Sequence, residues 1–144
     1  MSEVLKSLDE QVLTLTLNRV AKQNAITRDM YQLLADALKE ANGDFGIRVV
    51  VITHEGEHFT AGNDIFDFLN NPPHEPGSPV WNFLQEIHNF TKPLLAAVSG
   101  NAIGIGTTML LHCDITIASE TTKFSMPFVN LGLVPEAGAT LLFP

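Results

Sequence analysis

The sequence predicts an α/β fold, and three observations carry that prediction. Alternating residues over Val12–Leu17, an amphipathic stretch after Thr27 and the β-branched run Ile47–Thr53 give strand, helix and strand in that order, the pattern of a parallel crossover unit. A second apolar run, Leu94–Val98, leads into Gly100, Gly104 and Gly106 and then into the helical pattern Thr107–Cys113. Finally, 144 residues with 45% hydrophobic content suffice for one domain with a real core.

The elements follow in order. Val4–Leu8 and Val12–Leu17 flank Asp9-Glu10 and read as a hairpin, with Val12, Thr14 and Thr16 on one face and Leu13, Leu15 and Leu17 on the other. Asn18-Arg19 ends it, and a loop carries Lys22 and Asn24-Ala25. Thr27 is the expected N-cap of a helix that places Met30, Leu33, Leu34, Ala37, Leu38 and Ala41 on one face. Asn42-Gly43 stops it. Ile47–Thr53 is the clearest strand, nearly all apolar. Asp64 is placed to cap a short helix, Ile65–Leu69; Asn71–Pro79 is a polar, Pro-rich surface loop; Val80–Phe90 resumes a helical pattern. Leu94–Val98 suits a strand buried on both faces. A further helix is expected from Glu136 or Ala137, and the apolar ending Leu141-Leu142-Phe143-Pro144 suggests a fragment or an element that docks elsewhere. No internal repeat is visible.

Charge and cysteine content narrow the function classes. A formal net charge of −8 argues against nucleic acid and against an anionic membrane surface. The single Cys113 has no internal partner, so a reducing compartment is the default. The N-terminus MSEVLKSLDE lacks a signal-peptide core, and no apolar stretch approaches membrane-spanning length. The expectation is a soluble cytoplasmic protein, or a peroxisomal or mitochondrial one in a eukaryote.

Two loops carry the chemistry. Lys92–Asp114, KPLLAAVSGNAIGIGTTMLLHCD, runs strand, glycine-rich turn, helix, and so gathers unpaired backbone N–H groups at a positive helix end. The spacing G-x-x-x-G-x-G is neither a dinucleotide fingerprint nor a P-loop, and an oxyanion suits it better than a phosphate. The glycines alone also fit simple close packing. The second loop, Phe59–Ile65, follows a predicted parallel strand, where α/β sheets bind ligands. Just before it, His54–His58 reads HEGEH, the letters of a zinc motif. That motif needs a helix to bring both His rings to one face, and Gly56 directly after a strand demands a turn, so zinc is rejected and no metal is expected. His74 and His88 are expected at the surface without a ligand-spaced partner. His112 and Asp114 flank a Cys113 that reads as core, and Asp67 reads as a solvated helix face.

The segments GEHFTAGNDI and KPLLAAVSGNAIGIGTTMLLHCD together resemble the enoyl-CoA hydratase/isomerase, or crotonase, superfamily. NRVAKQNAI and ITIASETTKFSMPFVNLGLVPEAGAT extend the likeness over nearly the whole chain. The resemblance implies a spiral of repeated ββα units over residues 1–144, without the C-terminal helical region usual in the family. It implies a coenzyme A thioester as substrate, no separate cofactor, and a homotrimer or dimer of trimers. Matched to the family pattern, the oxyanion donors are the N–H groups of Asn63 and Ile105. Substrate contacts fall on Lys22, Ala25, Ala61, Gly62, Asn63, Asp64, Ile65, Gly104 and Ile105, with Lys92 a further source of positive charge for the coenzyme A phosphates. The two hydratase glutamates correspond to Thr108 and Phe128, neither of which transfers protons usefully. Glu136, in LGLVPEAG, resembles the catalytic Glu of peroxisomal-type Δ3,Δ2-enoyl-CoA isomerases, while dehalogenases of the superfamily place a nucleophilic Asp there. Phe128, Val129, Leu133 and Val134 are expected to desolvate it. On residue type alone, Glu136 also fits a helix start. The expected activity is therefore an isomerase with Glu136 as the base. The alternatives are a hydratase, a hydrolase or dehalogenase, and a non-catalytic acyl-CoA-binding fragment.

Overall fold

The computed structural model describes residues 1–73 and 75–143, so His74 lies outside the described residues. The chain opens with the hairpin β1 (Val4–Asp9) and β2 (Val12–Leu17), turned by Glu10 and Gln11, both at positive φ. A 3₁₀ turn, Val20–Lys22, leads to α1 (Arg28–Gly43), then β3 (Val49–His54), α2 (Ile65–Asn70), α3 (Pro79–His88) and β4 (Leu94–Val98). After β4 come β5 (Asn101–Ile103), α4 (Ile105–Thr108), a 3₁₀ turn Met109–His112, β6 (Ile115–Ala118) and β7 (Lys123–Ser125). A last 3₁₀ turn, Val129–Leu131, precedes α5 (Ala139–Leu142). The main sheet has the order β1-β2-β3-β4-β6, parallel from β2 onwards, and β5 pairs with β7 in a second, two-stranded parallel sheet. The parallel crossover expected through the first helix is present.

Local chemistry explains the helix ends. Thr27 Oγ1 accepts the Met30 N–H at 3.3 Å, as its cap position predicts, and Asp64 Oδ1 accepts the Asp67 N–H at 3.0 Å. At α3 the cap is Ser78, with Pro79 in the first turn, where its missing donor costs nothing.

The core sits between one face of the main sheet and helices α1 and α3. Leu13, Leu15 and Leu17 of β2, Val50 and Ile52 of β3, and Leu94, Ala96 and Val98 of β4 are buried at every second position. They meet Met30, Tyr31, Leu34 and Leu38 of α1 and Phe83 and Ile87 of α3 in one cluster. Tyr31 and Phe83 pack with ring centroids 5.4 Å apart. The alternation corrects the expectation of a doubly buried β4: Leu95 and Ala97 are only half-buried, because the described helices cover a single face. At the sheet's far edge Ile115 and Ile117 of β6 are exposed.

Two other expectations change. The pattern Thr107–Cys113 is not one α-helix, since α4 tightens into a 3₁₀ turn after Thr108. No helix starts at Glu136 either: Ala137 and Gly138 both have positive φ, and α5 begins only at Ala139.

Candidate active site

Parallel strands deliver their following loops to one end of a sheet, and the loops after β3 and β4 are joined there by hydrogen bonds. Thr60 N–H donates to Asn101 O at 3.0 Å, and Ile103 N–H donates to Thr60 O at 3.1 Å. A Cβ on Gly106 would lie 2.4 Å from Thr60 Cγ2, so only glycine lets α4 approach the other loop this closely. The loop around Lys22 lies along the same strip, with Ala61 N–H donating to Gln23 O at 3.0 Å and Asp64 N–H to Ile26 O at 2.9 Å. Ala25, Ala61 and Gly62 thus share one edge with Asn63, while Lys22 and Ile65 stand exposed at its ends.

The donors near the expected oxyanion position separate into engaged and free. Gly62 N–H is held by Thr60 Oγ1 at 3.0 Å, and Gly104 N–H by Ser125 O at 2.8 Å. Between Gly62 and Asp64, Asn63 N–H donates to no group among the described residues. Ile105 is the first residue of α4, where an N–H has no intrahelical acceptor. Gly104, at φ 58° and ψ −118°, sets that amide's direction in a conformation reserved for glycine.

Glu136 is half-buried, and its Oε1 is shut from solvent without a hydrogen-bond partner. Thr108 Oγ1 is the other buried, unpartnered side-chain oxygen among the described residues. Burial raises the Glu136 carboxyl above the ordinary glutamate range. Tyr31, wholly buried, has its phenol pushed well up, first by burial and then by the Glu136 charge. Its hydroxyl donates to Asn63 Oδ1. Tyr31 thus holds the side chain of the residue that carries one free amide, a contact the sequence did not disclose. The desolvation expected from neighbouring side chains comes only in part, because Phe128 is buried whereas Val129, Leu133 and Val134 are exposed. Residues 126–138 run as turns, the 3₁₀ turn Val129–Leu131 among them.

The raised carboxyl has a stability consequence. A group whose folded pKa exceeds its unfolded value stabilises the fold at low pH, and that contribution is lost as pH rises through the folded value. Glu136→Gln is therefore expected to melt near wild type at pH 4 and above it at pH 8. Thermal melts across that range measure the divergence; parallel curves would mean a solvated carboxylate.

Several polar residues prove to be structural. Lys92 Nζ donates to Ala41 O, Asp44 O and Ile47 O at 2.5, 2.5 and 2.6 Å, closing the C-terminal end of α1, so it is not free for coenzyme A phosphates. Lys92→Met is expected to cost about 1–3 kcal/mol in urea unfolding, the usual loss for charge-assisted bonds. Asp64 is held by Arg19 at 2.8 Å, and its carboxyl is lowered first by the Asp67 amide and then by Arg19. Arg19 also binds Glu3 and Ala25 O. Asp67, expected to be merely solvated, accepts the Arg28 N–H at the start of α1. In the HEGEH turn, His54 Nε2 and His58 Nδ1 accept the Ser99 and Asn101 amides, so each ring braces the turn after β4. His88 is exposed, yet its ring lies 6.2 Å from that of His112. Cys113 is half-buried, and burial beside Asp114 pushes its thiol up to about 12.

Residues 7–144 match the family model described as enoyl-CoA hydratase/isomerase. The chain belongs to that family. Among curated relatives, the 2,3-dehydroadipyl-CoA hydratase of Escherichia coli is 38% identical over 97% of this chain and 55% of its own length. The peroxisomal enoyl-CoA delta isomerase 3 of Mus musculus is 34% identical over 99% of this chain and 46% of its own length. A solved enoyl-CoA hydratase/isomerase from Pseudoalteromonas atlantica superposes with a TM-score of 0.95 at 45% identity, covering 99% of this chain and 57% of that one. The architecture is therefore the crotonase fold, and the chain spans about half the length of the curated relatives it matches. Relatives named as hydratases and as isomerases both align, so the family is settled by likeness and the particular reaction is not.

Proposed function

We propose that this chain carries the reaction centre of a Δ3,Δ2-enoyl-CoA isomerase. The observation that carries the reading is the half-buried carboxyl of Glu136, its Oε1 shut from solvent without a partner, in a chain with Thr108 and Phe128 at the positions that match the hydratase carboxylates. A hydratase needs a second carboxylate to activate water; a double-bond shift needs one.

In this reading an acyl-CoA thioester lies with its carbonyl oxygen at the free amides of Asn63 and Ile105, and the pantetheine runs past Ala25 and Ala61 towards Asp64. Glu136 takes a proton from C2. The C2–H electron pair moves into the thioester as a dienolate, whose oxygen charge falls on the two N–H donors. Glu136, now protonated, returns the proton at C4, and the C3=C4 double bond has become C2=C3. The raised carboxyl suits this shuttle, since a stronger base takes the C2 proton more readily.

The test is an activity screen of the intact protein on 3-enoyl-CoA and 2-enoyl-CoA in deuterated water. Conversion of the 3-enoyl substrate is expected, with solvent deuterium entering the product at C4 and exchange at C2 in recovered substrate. Dominant hydration of 2-enoyl-CoA, or release of free coenzyme A, would replace the reading with a hydratase or a hydrolase. Binding without turnover would leave an acyl-CoA binder.

A further inference from the structure

We propose that His112 is a positioning residue for Glu136, tying the turn that carries the carboxyl to the helical unit that carries the Ile105 amide. The proposal rests on the isomerase reading for its catalytic consequence. His112 ends the 3₁₀ turn that continues α4 directly, four residues beyond Thr108. Its Nε2 lies 2.7 Å from Ala137 O, across 25 positions of sequence. A carbonyl oxygen only accepts, so the hydrogen is on Nε2.

The turn it holds is not one the backbone would keep unaided. Ala137 has φ 55° and Gly138 φ 69°, two successive left-handed residues of which one carries a Cβ. Such a residue persists where its surroundings over-determine it. The other hydrogen bonds of this turn are local backbone bonds, Ala139 N–H to Glu136 O at 3.0 Å and the Leu141 and Leu142 N–H groups to Gly138 O at 2.9 and 3.0 Å. Among the described residues, the His112 bond is the side-chain hydrogen bond that reaches residues 134–138 from another element. His88 backs the imidazole from α3, edge-on at 6.2 Å between ring centroids. One side chain thus fixes the turn beside Glu136 relative to the start of α4, and reactions of this kind are sensitive to displacements near 1 Å.

The experiment compares His112→Leu and His112→Gln in the intact protein. Gln places its Nε2 as many bonds from Cα as the imidazole Nε2 and can donate to the same carbonyl. His112→Leu is expected to lower kcat on 3-enoyl-CoA by roughly 10–100-fold with KM within about threefold, and His112→Gln to recover most of it. Amide hydrogen exchange at Ala139, read separately, should speed up in the Leu variant and return in the Gln variant. Wild-type kcat in His112→Leu, equal losses in both variants, or unchanged exchange would each overturn the proposal. Glu136→Gln in the same assay separates the two readings. If it keeps full turnover, the isomerase mechanism fails together with the catalytic consequence of His112, whatever the exchange data show for the contact.

Discussion

Glu136→Gln is expected to bind a non-reactive acyl-CoA about as tightly as wild type while losing turnover of 3-enoyl-CoA by 10²-fold or more, the usual contribution of a general base. The substitution keeps the side chain's size and removes only its proton chemistry. The carboxyl Oε1 has no partner to lose among the described residues, so no donor elsewhere is stranded. With the Gln carbonyl in the Oε1 place and its amide nitrogen in the other, the fold should persist or gain stability. Calorimetry and steady-state kinetics on the same preparation check both halves. Exchange of the C2 proton into deuterated water should vanish with turnover. Full isomerase activity in the variant would assign the base to another residue.

What the sequence disclosed was chemistry whose partners are near in the chain. The caps Thr27 and Asp64 were legible because a capping oxygen reaches an amide three residues on. Strands β2, β3 and β4 were legible from periodicity and β-branching, as was their parallel order. The family motifs then led to Asn63, Ile105 and Glu136, which periodicity alone would have left as a loop residue, a core residue and a helix start. The illegible parts are long-range pairings. Lys92 finds the end of α1 from over 40 positions away, Arg19 reaches Asp64 and Tyr31 reaches Asn63. Nothing in the local pattern around Lys92, Arg19 or Tyr31 marks those partners. Glu136 misled for a different reason. Its Pro-Glu-Ala-Gly context suits a helix N-terminus, yet Ala137 and Gly138 turn left-handed and delay α5 by three residues. That delay leaves the carboxyl half-buried in the turn before the helix, where His112 holds the following carbonyl.

The oxyanion donor proposed at Ile105 allows a test that deletes one N–H and little else. Proline is tolerated at the first position of a helix, where its missing donor had no intrahelical acceptor. Gly104, at φ 58° and ψ −118°, is the mirror image of an extended residue, the class of geometry a following proline accepts. Ile105→Pro should therefore keep α4 and lose the amide. Because Ile105 is only 2% exposed, the change also empties part of the core. Ile105→Ala is the matched control, since it loses that packing, about 2–5 kcal/mol of stability, and keeps the N–H. At a temperature where circular dichroism shows both variants folded, Ile105→Pro is expected to lose 10²–10³-fold in kcat, the cost of one oxyanion donor. Its kcat/KM should fall in parallel, as befits an interaction realised in the transition state. Ile105→Ala should retain most of its turnover. Equal activity in the two variants would mean that the developing enolate charge is held elsewhere, and the paired-amide geometry at Asn63 and Ile105 would then be a packing feature of the two loops.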